Sequence, residues 1–189
     1  MLFYWCRQYG ADLCENRSPN NRNMEEGAFR SALPSFAGCG NRKFLPDEVF
    51  QTLEEAQAAI AQWLHNWEAA AGEQACPIFL KEGACIGHIA LSPLEDWDGE
   101  AWEVTCHIGA ALRGHGYAVE AMQAFLPAIM ARCGITEVHG ICTKDNLASR
   151  RVMEQCGFQK YREKDVIYYG EPKSALFYRY TISTLTTRI

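Results

Sequence analysis

A strand-like apolar run over residues 101–108 feeds Leu112-Arg113-Gly114-His115-Gly116-Tyr117-Ala118-Val119-Glu120-Ala121-Met122, and a helix-like run over residues 118–132 leads out of it. A strand that turns through glycines into a helix leaves few architectures open. The helix has to pack back on the sheet, and its first turn presents unpaired N–H groups at the turn. Gly114 and Gly116, on either side of His115, let the backbone approach an anion with no Cβ in the way. The helix dipole adds roughly half a positive charge at the same place. The stretch therefore reads as a phosphate cradle. Glycines also serve plain turns, and the residues of the loop leave both readings open.

The rest of the composition narrows the class. The chain has 189 residues, 48% hydrophobic and 22% charged, which suits one soluble domain with a real core. A net charge of −5 with no basic stripe argues against a nucleic-acid partner. No run approaches the ~20 apolar residues that span a bilayer, so no membrane association is expected. Residues 1–6 are apolar but lack the basic and small-residue flanks of a signal peptide. The nine cysteines are scattered, odd in number and without a Cys-x-x-Cys. Cys85, Cys106 and Cys142 sit in apolar runs, where a free thiol acts as a small hydrophobe. This usage fits reduced thiols in the cytoplasm. Cys85-x-x-His88 and His139-x-x-Cys142 are isolated pairs, so no metal is expected.

Along the chain, residues 1–44 form an N-terminal segment broken by Ser18-Pro19-Asn20-Asn21 and by Gly38-Cys39-Gly40, with room for a short helix at 24–33. Thr52-Leu53-Glu54-Glu55 is a capping box. Leu53, Ala56, Ile60, Trp63, Leu64 and Trp67 then recur at helical spacing up to Gly72, which predicts an amphipathic helix. Residues 76–81 and 84–91 read as a hairpin turning at Glu82-Gly83, and an acidic loop with Glu95, Asp96 and Asp98 precedes a strand at 101–108. The helix after the glycine loop should stop at Gly134, with Pro127 disturbing one turn. A strand at 137–142, a short helix at 147–155 capped by Asn146, and strands at 158–162 and 175–182 joined by a loop through Tyr168-Tyr169 complete the order. Antiparallel strands joined to a βαβ crossover indicate a single α+β domain with a mixed, mostly antiparallel sheet.

Two motifs together make the chain resemble the GNAT superfamily of N-acetyltransferases, nearest its ribosomal-protein-acetyltransferase-like branch. Arg113-Gly114-His115-Gly116-Tyr117-Ala118 is similar to the family's pyrophosphate loop. Asn146-Leu147-Ala148-Ser149 with Cys156-Gly157-Phe158 is similar to its downstream Asn motif. The resemblance covers roughly residues 46–180 and implies an acetyl-CoA-dependent domain over 45–182, with a tail at 183–189. It implies helices on both faces of a sheet splayed at a central parallel pair, residues 101–108 and 137–142, with acetyl-CoA in the splay. The backbone of Cys106 to Ile108 would pair with the pantetheine amides. The N–H groups of Gly114, His115, Gly116, Tyr117 and Ala118 would hold the pyrophosphate, with Arg113 adding charge. Asn146 would contact the pantetheine arm or simply cap its helix.

The reaction implied is direct transfer of an acetyl group to a primary amine in a ternary complex. An amine with pKa about 10.4 must first lose a proton. The resemblance assigns this to Glu103, a carboxylate of intrinsic pKa about 4.3 that would need burial or a water chain to serve. The oxyanion would meet the N–H of Ile108 or of a neighbour on the splayed strand. Where many members carry a tyrosine acid this chain has Met153, and Ser149 is the remaining donor to sulfur. The acceptor would be a small molecule or a protein N-terminus, and homodimers are common in the family. Two other readings compete. A non-catalytic acyl-CoA-binding or sensor module on the same fold accounts for Met153. A nucleotide-binding regulatory domain is disfavoured, because the loop lacks Gly-Lys-Ser/Thr and no acidic residue follows at Rossmann spacing.

Overall fold

The capping box forms as its residues require: the Glu55 N–H donates to Thr52 Oγ1 at 3.2 Å, and helix α1, Leu53–Ala69, follows. The computed structural model describes residues 52–69, 71–81, 84–94 and 100–182. The expected segment 1–44, the Glu82-Gly83 turn, the acidic residues Glu95, Asp96 and Asp98, and the tail 183–189 lie outside the described residues.

After α1 come β1 (Gln74–Phe79), β2 (Cys85–Pro93), β3 (Trp102–Ile108), helix α2 (Tyr117–Cys133), β4 (Glu137–Thr143), helix α3 (Leu147–Gln155), β5 (Gln159–Tyr168) and β6 (Glu171–Thr181). This is the order read from the sequence. The strands form one sheet, β1-β2-β3-β4-β6-β5. Every neighbouring pair is antiparallel except β3 and β4.

Strand alternation sorts the side chains by face. Ile89, Leu91, Val104 and Ile108 share one face with Val138 and Leu176 through the register. They join Met122, Phe125, Leu126, Ile129 and Met130 of α2 and Met153 of α3 in a single buried cluster. Each such side chain contributes about 1.5–3 kcal/mol when fully buried. The opposite face carries His88, Glu103, Thr105, His107 and His139. On that face the Trp63 ring of α1 lies 5.7 Å from His88. Trp63 and Trp67 are both core residues, 4% and 6% exposed, and their indole N–H groups donate to Glu73 Oε2 and to the Ala75 carbonyl, each at 2.6 Å.

Helix α2 ends at Gly134, which takes the left-handed conformation at φ +69°, as a glycine stop should. The helix is continuous through Pro127. Pro127 and Gln123 are both exposed, so the carbonyl that loses its partner faces water.

One expectation is corrected. The last two strands are not short segments joined by a long loop but a long hairpin paired from Gln159↔Arg179 to Tyr168↔Glu171. Its turn is only Tyr169-Gly170, both at positive φ, +49° and +80°, the signature of a type I′ turn. The sequence hides this strand because β5 is an edge whose residues are almost all exposed, so no apolar alternation marks it. Pro172 is tolerated for a related reason. It lies next to the turn-closing pair, so its nitrogen points away from β5. The β4 ladder on the other side ends at Thr143↔Ala175, which leaves no partner asking for the missing N–H.

Candidate active site

The parallel pair β3–β4 is joined at one position, Glu103↔His139, whereas β2–β3 and β4–β6 each run through seven pairs. Beyond that vertex the two strands part, and a slot opens toward their carboxyl ends. Which backbone groups line it follows from the phase of the outer ladders. In an antiparallel pair alternate residues turn both N–H and C=O to the partner. The Gly109 N–H donates to Ile86 O and the Leu94 N–H to Ala101 O, both at 2.8 Å, so Glu103, Thr105 and His107 face β2. The backbone groups of Cys106 and Ile108 therefore face the slot, and those of His107 between them do not. The same reasoning on β4 uses Ile182 N–H to Thr136 O and Lys144 N–H to Ser174 O. It turns Ile141 and Thr143 toward the slot, two positions that the motifs did not single out.

The strand then passes a short 3₁₀ turn, Ala110–Leu112, into the glycine loop. Gly114 and Gly116 stand at φ +80° and +83°, where a Cβ is strained. Among the described residues, a Cβ added at either would meet no atom within 4 Å. Among the described residues no side chain caps the start of α2. Its first backbone bond is Glu120 N–H to Gly116 O at 3.1 Å, which leaves the N–H groups of Tyr117, Ala118 and Val119 without helical acceptors. Arg113 Nε donates to Ile108 O at 3.0 Å, tying the loop to the end of β3. His115 is exposed, and its Nδ1 reaches the carbonyls of Leu112 and Arg113 at 3.2 and 3.0 Å. Both partners only accept, so Nδ1 carries the hydrogen, and the ring stacks on Tyr117. The backbone here, not the imidazole, is what faces an anion.

At the other rim Asn146 caps α3, accepting the Ser149 N–H on Oδ1 at 3.2 Å. The Ser149 hydroxyl lies in the surroundings of the Cys142 thiol. Burial pushes that thiol up, Ser149 and Arg150 work against the rise, and Glu154 and Glu103 add to it. Met153 is 3% exposed and packs over Gly140, a core side chain with no proton to give. Cys106 lines the α2 side, and burial pushes its thiol up to about 12. Among the described residues no three His, Cys, Asp or Glu side chains gather as a metal set, and no helix is long and apolar enough to cross a membrane.

An anion cradle at the mouth of a slot lined by backbone amides suits an extended ligand ending in a pyrophosphate. Residues 36–159, more than half of the chain, match the family model described as "Acetyltransferase (GNAT) domain". The chain belongs to the GNAT acetyltransferase family. A curated relative, the uncharacterized N-acetyltransferase YnaD of Bacillus subtilis, is 27% identical over 119 residues. That match spans 62% of this chain and 65% of YnaD, just under two thirds of its length. Among solved structures, RimL, a ribosomal L7/L12 alpha-N-protein acetyltransferase in complex with coenzyme A, superposes with a TM-score of 0.66 at 18% identity, over 85% of this chain and 90% of RimL. The structure of yncA from Salmonella typhimurium with its cofactor acetyl-CoA gives a TM-score of 0.60 at 14% identity, over 85% of this chain and 87% of yncA. At such identities these GNAT structures establish the shared fold.

Proposed function

We propose that this GNAT member transfers the acetyl group of acetyl-CoA to a primary amine by direct attack. The observation that carries the reading is the slot between β3 and β4, opening from the Glu103↔His139 vertex toward the uncapped start of α2. The glycine loop fits a pyrophosphate, because a side chain at Gly114 or Gly116 would project into the space it needs. Acetyl-CoA supplies the acetyl group already activated as a thioester.

The chain's own residues then have separable tasks. The N–H groups from Gly114 to Ala118 bind the pyrophosphate, with Arg113 adding positive charge. The slot-facing backbone of Cys106 and Ile108 holds the pantetheine arm, and Asn146 keeps α3 in place beneath it. Glu103, half-buried on the face opposite α2, accepts the acceptor's proton. Ser149 donates a hydrogen bond to the departing sulfur. Likeness to RimL, named for a protein alpha-amine, favours a protein N-terminus as the acceptor class.

Thiol release from acetyl-CoA across a panel of amines and N-terminal peptides tests the reading, with mass spectrometry of the acetylated product. Glu103→Gln should lower kcat about 100-fold while leaving the Kd for acetyl-CoA unchanged. Wild-type turnover of that variant at every pH removes Glu103 from the reaction. Tight acetyl-CoA binding with no release for any amine turns the reading toward an acyl-CoA sensor, which the buried Met153 in place of an acid also suits.

A further inference from the structure

Beside its backbone N–H groups, the glycine loop carries a ring surface that the tasks above leave unused. His115 and Tyr117 flank Gly116, and their rings stack with centroids 5.6 Å apart and planes 17° from parallel. Tyr117 holds the stack from below, because it is partly buried against the core cluster. The loop holds it from the side, because Nδ1–H of His115 is shared between the carbonyls of Leu112 and Arg113 at 3.2 and 3.0 Å. A hydrogen shared between two acceptors fixes the plane of the imidazole. His115 is nevertheless exposed. With one face on Tyr117, that exposure falls on the other face of the ring and on Nε2. The N–H of Tyr117 is one of those left without a helical acceptor at the start of α2. One residue therefore brings both a donor to the cradle and a ring to the stack.

We propose that the His115–Tyr117 stack is the platform on which the purine base of acetyl-CoA lies. The inference rests on the acetyl-CoA part of the reading above. With the pyrophosphate in the cradle, the pantetheine arm runs into the slot and the nucleoside is left at its mouth. A single ribose separates the base from the pyrophosphate, so the base lies close to the residues that border the cradle. Every base has a π face, and aromatic side chains hold bases by stacking on it. The imidazole suits this task because its plane is fixed before the ligand arrives, and little rotamer freedom is lost on binding. The loop then divides its work: the backbone binds the charge, and the two rings bind the base.

The test compares two ligands by isothermal titration. One is acetyl-CoA, and the other is S-acetylpantetheine diphosphate, which keeps the pyrophosphate and ends before the nucleoside. His115→Ala keeps every backbone N–H, and the position is exposed, so folding is not at risk. The variant should bind acetyl-CoA about tenfold more weakly and the truncated ligand with the wild-type Kd. In the wild-type protein, the carbon-bound ring protons of His115 should move upfield in NMR spectra when acetyl-CoA is added, as stacking against a purine requires. The truncated ligand should leave them in place. Equal weakening of both ligands in His115→Ala means that the ring only braces the loop, and overturns the inference. So does an unchanged Kd for acetyl-CoA, and so do ring protons that respond alike to both ligands. The experiment needs no turnover. A protein that shows the ligand difference but acetylates no amine therefore loses the transfer reading and keeps the base platform, whereas a wild type that binds no acetyl-CoA loses both.

Discussion

Two glycines of this chain do opposite things, and each makes a prediction. At Gly87, in β2, an added Cβ would overlap the carbonyl oxygen of His107, which the ladder phase turns toward β2. Backbone cannot yield as a side-chain end can, so Gly87→Ala should cost about 3 kcal/mol, read as a drop in the denaturant midpoint. At Gly116 a Cβ would touch nothing among the described residues, which offer no objection beyond φ. Gly116→Val should instead raise the Kd for acetyl-CoA at least about tenfold, near 1.4 kcal/mol, in an isothermal titration. An unchanged Kd would remove the loop from the site. The sequence distinguishes these residues poorly. Gly116 lies in a recognisable turn, while Gly87 sits in an apolar strand and owes its importance to a strand some 20 residues away.

At the scale of elements, the helices declare themselves through local chemistry. Thr52 and Asn146 bond the N–H groups three residues on, and Gly134 terminates α2; caps and stops act within a single turn. The β5–β6 hairpin is the counter-example. Lys160, Glu163 and Lys164 point to solvent along β5, and the turn residue Tyr169 is not one that type I′ geometry prefers. Its φ of +49° is costly for an L residue with a bulky side chain. Tyr169→Asn should therefore stabilise the protein by about 0.5–1 kcal/mol, despite losing the edge contact with the Tyr168 ring. A thermal midpoint at or below wild type would show that the ring contact outweighs the strain. The junction of α1 and α2 is equally invisible in either segment alone: Arg132 donates to the Trp67 carbonyl at 2.5 Å and lies over the Trp67 ring.

Over the whole molecule, the buried titratable groups set a window of stability. Burial pushes the thiols of Cys106 and Cys156 up from 9.0 to about 12 and about 11. As pH rises above 9, the unfolded chain gives up thiol protons that the folded chain keeps. The folded state then holds more protons, and stability falls as pH rises through that range. His139 acts on the acid side. Its pKa is lowered in the fold, so below about 6.5 the unfolded chain takes a proton that the folded imidazole refuses, and stability falls as pH falls. Urea midpoints should be highest between about pH 6.5 and 9 and lower at pH 10.5, with a shallower alkaline decline in Cys106→Ala. Identical midpoints at pH 7.5 and 10.5 would contradict the thiol contribution.

By itself the sequence determined the order of helices and strands, the caps and stops of the helices, and a glycine loop able to cradle an anion. Periodicity, capping and turn chemistry act over a few residues, and one chain displays them directly. Only the tertiary structure decided that β3 and β4 pair once and then part. It alone turned Ile141 and Thr143 into the resulting slot and set Tyr161 of β5 against His139 of β4 across an intervening strand. Those outcomes depend on which strands become neighbours and in what register. Register is selected by how whole faces bury against α2 and α3, and no local pattern carries that information.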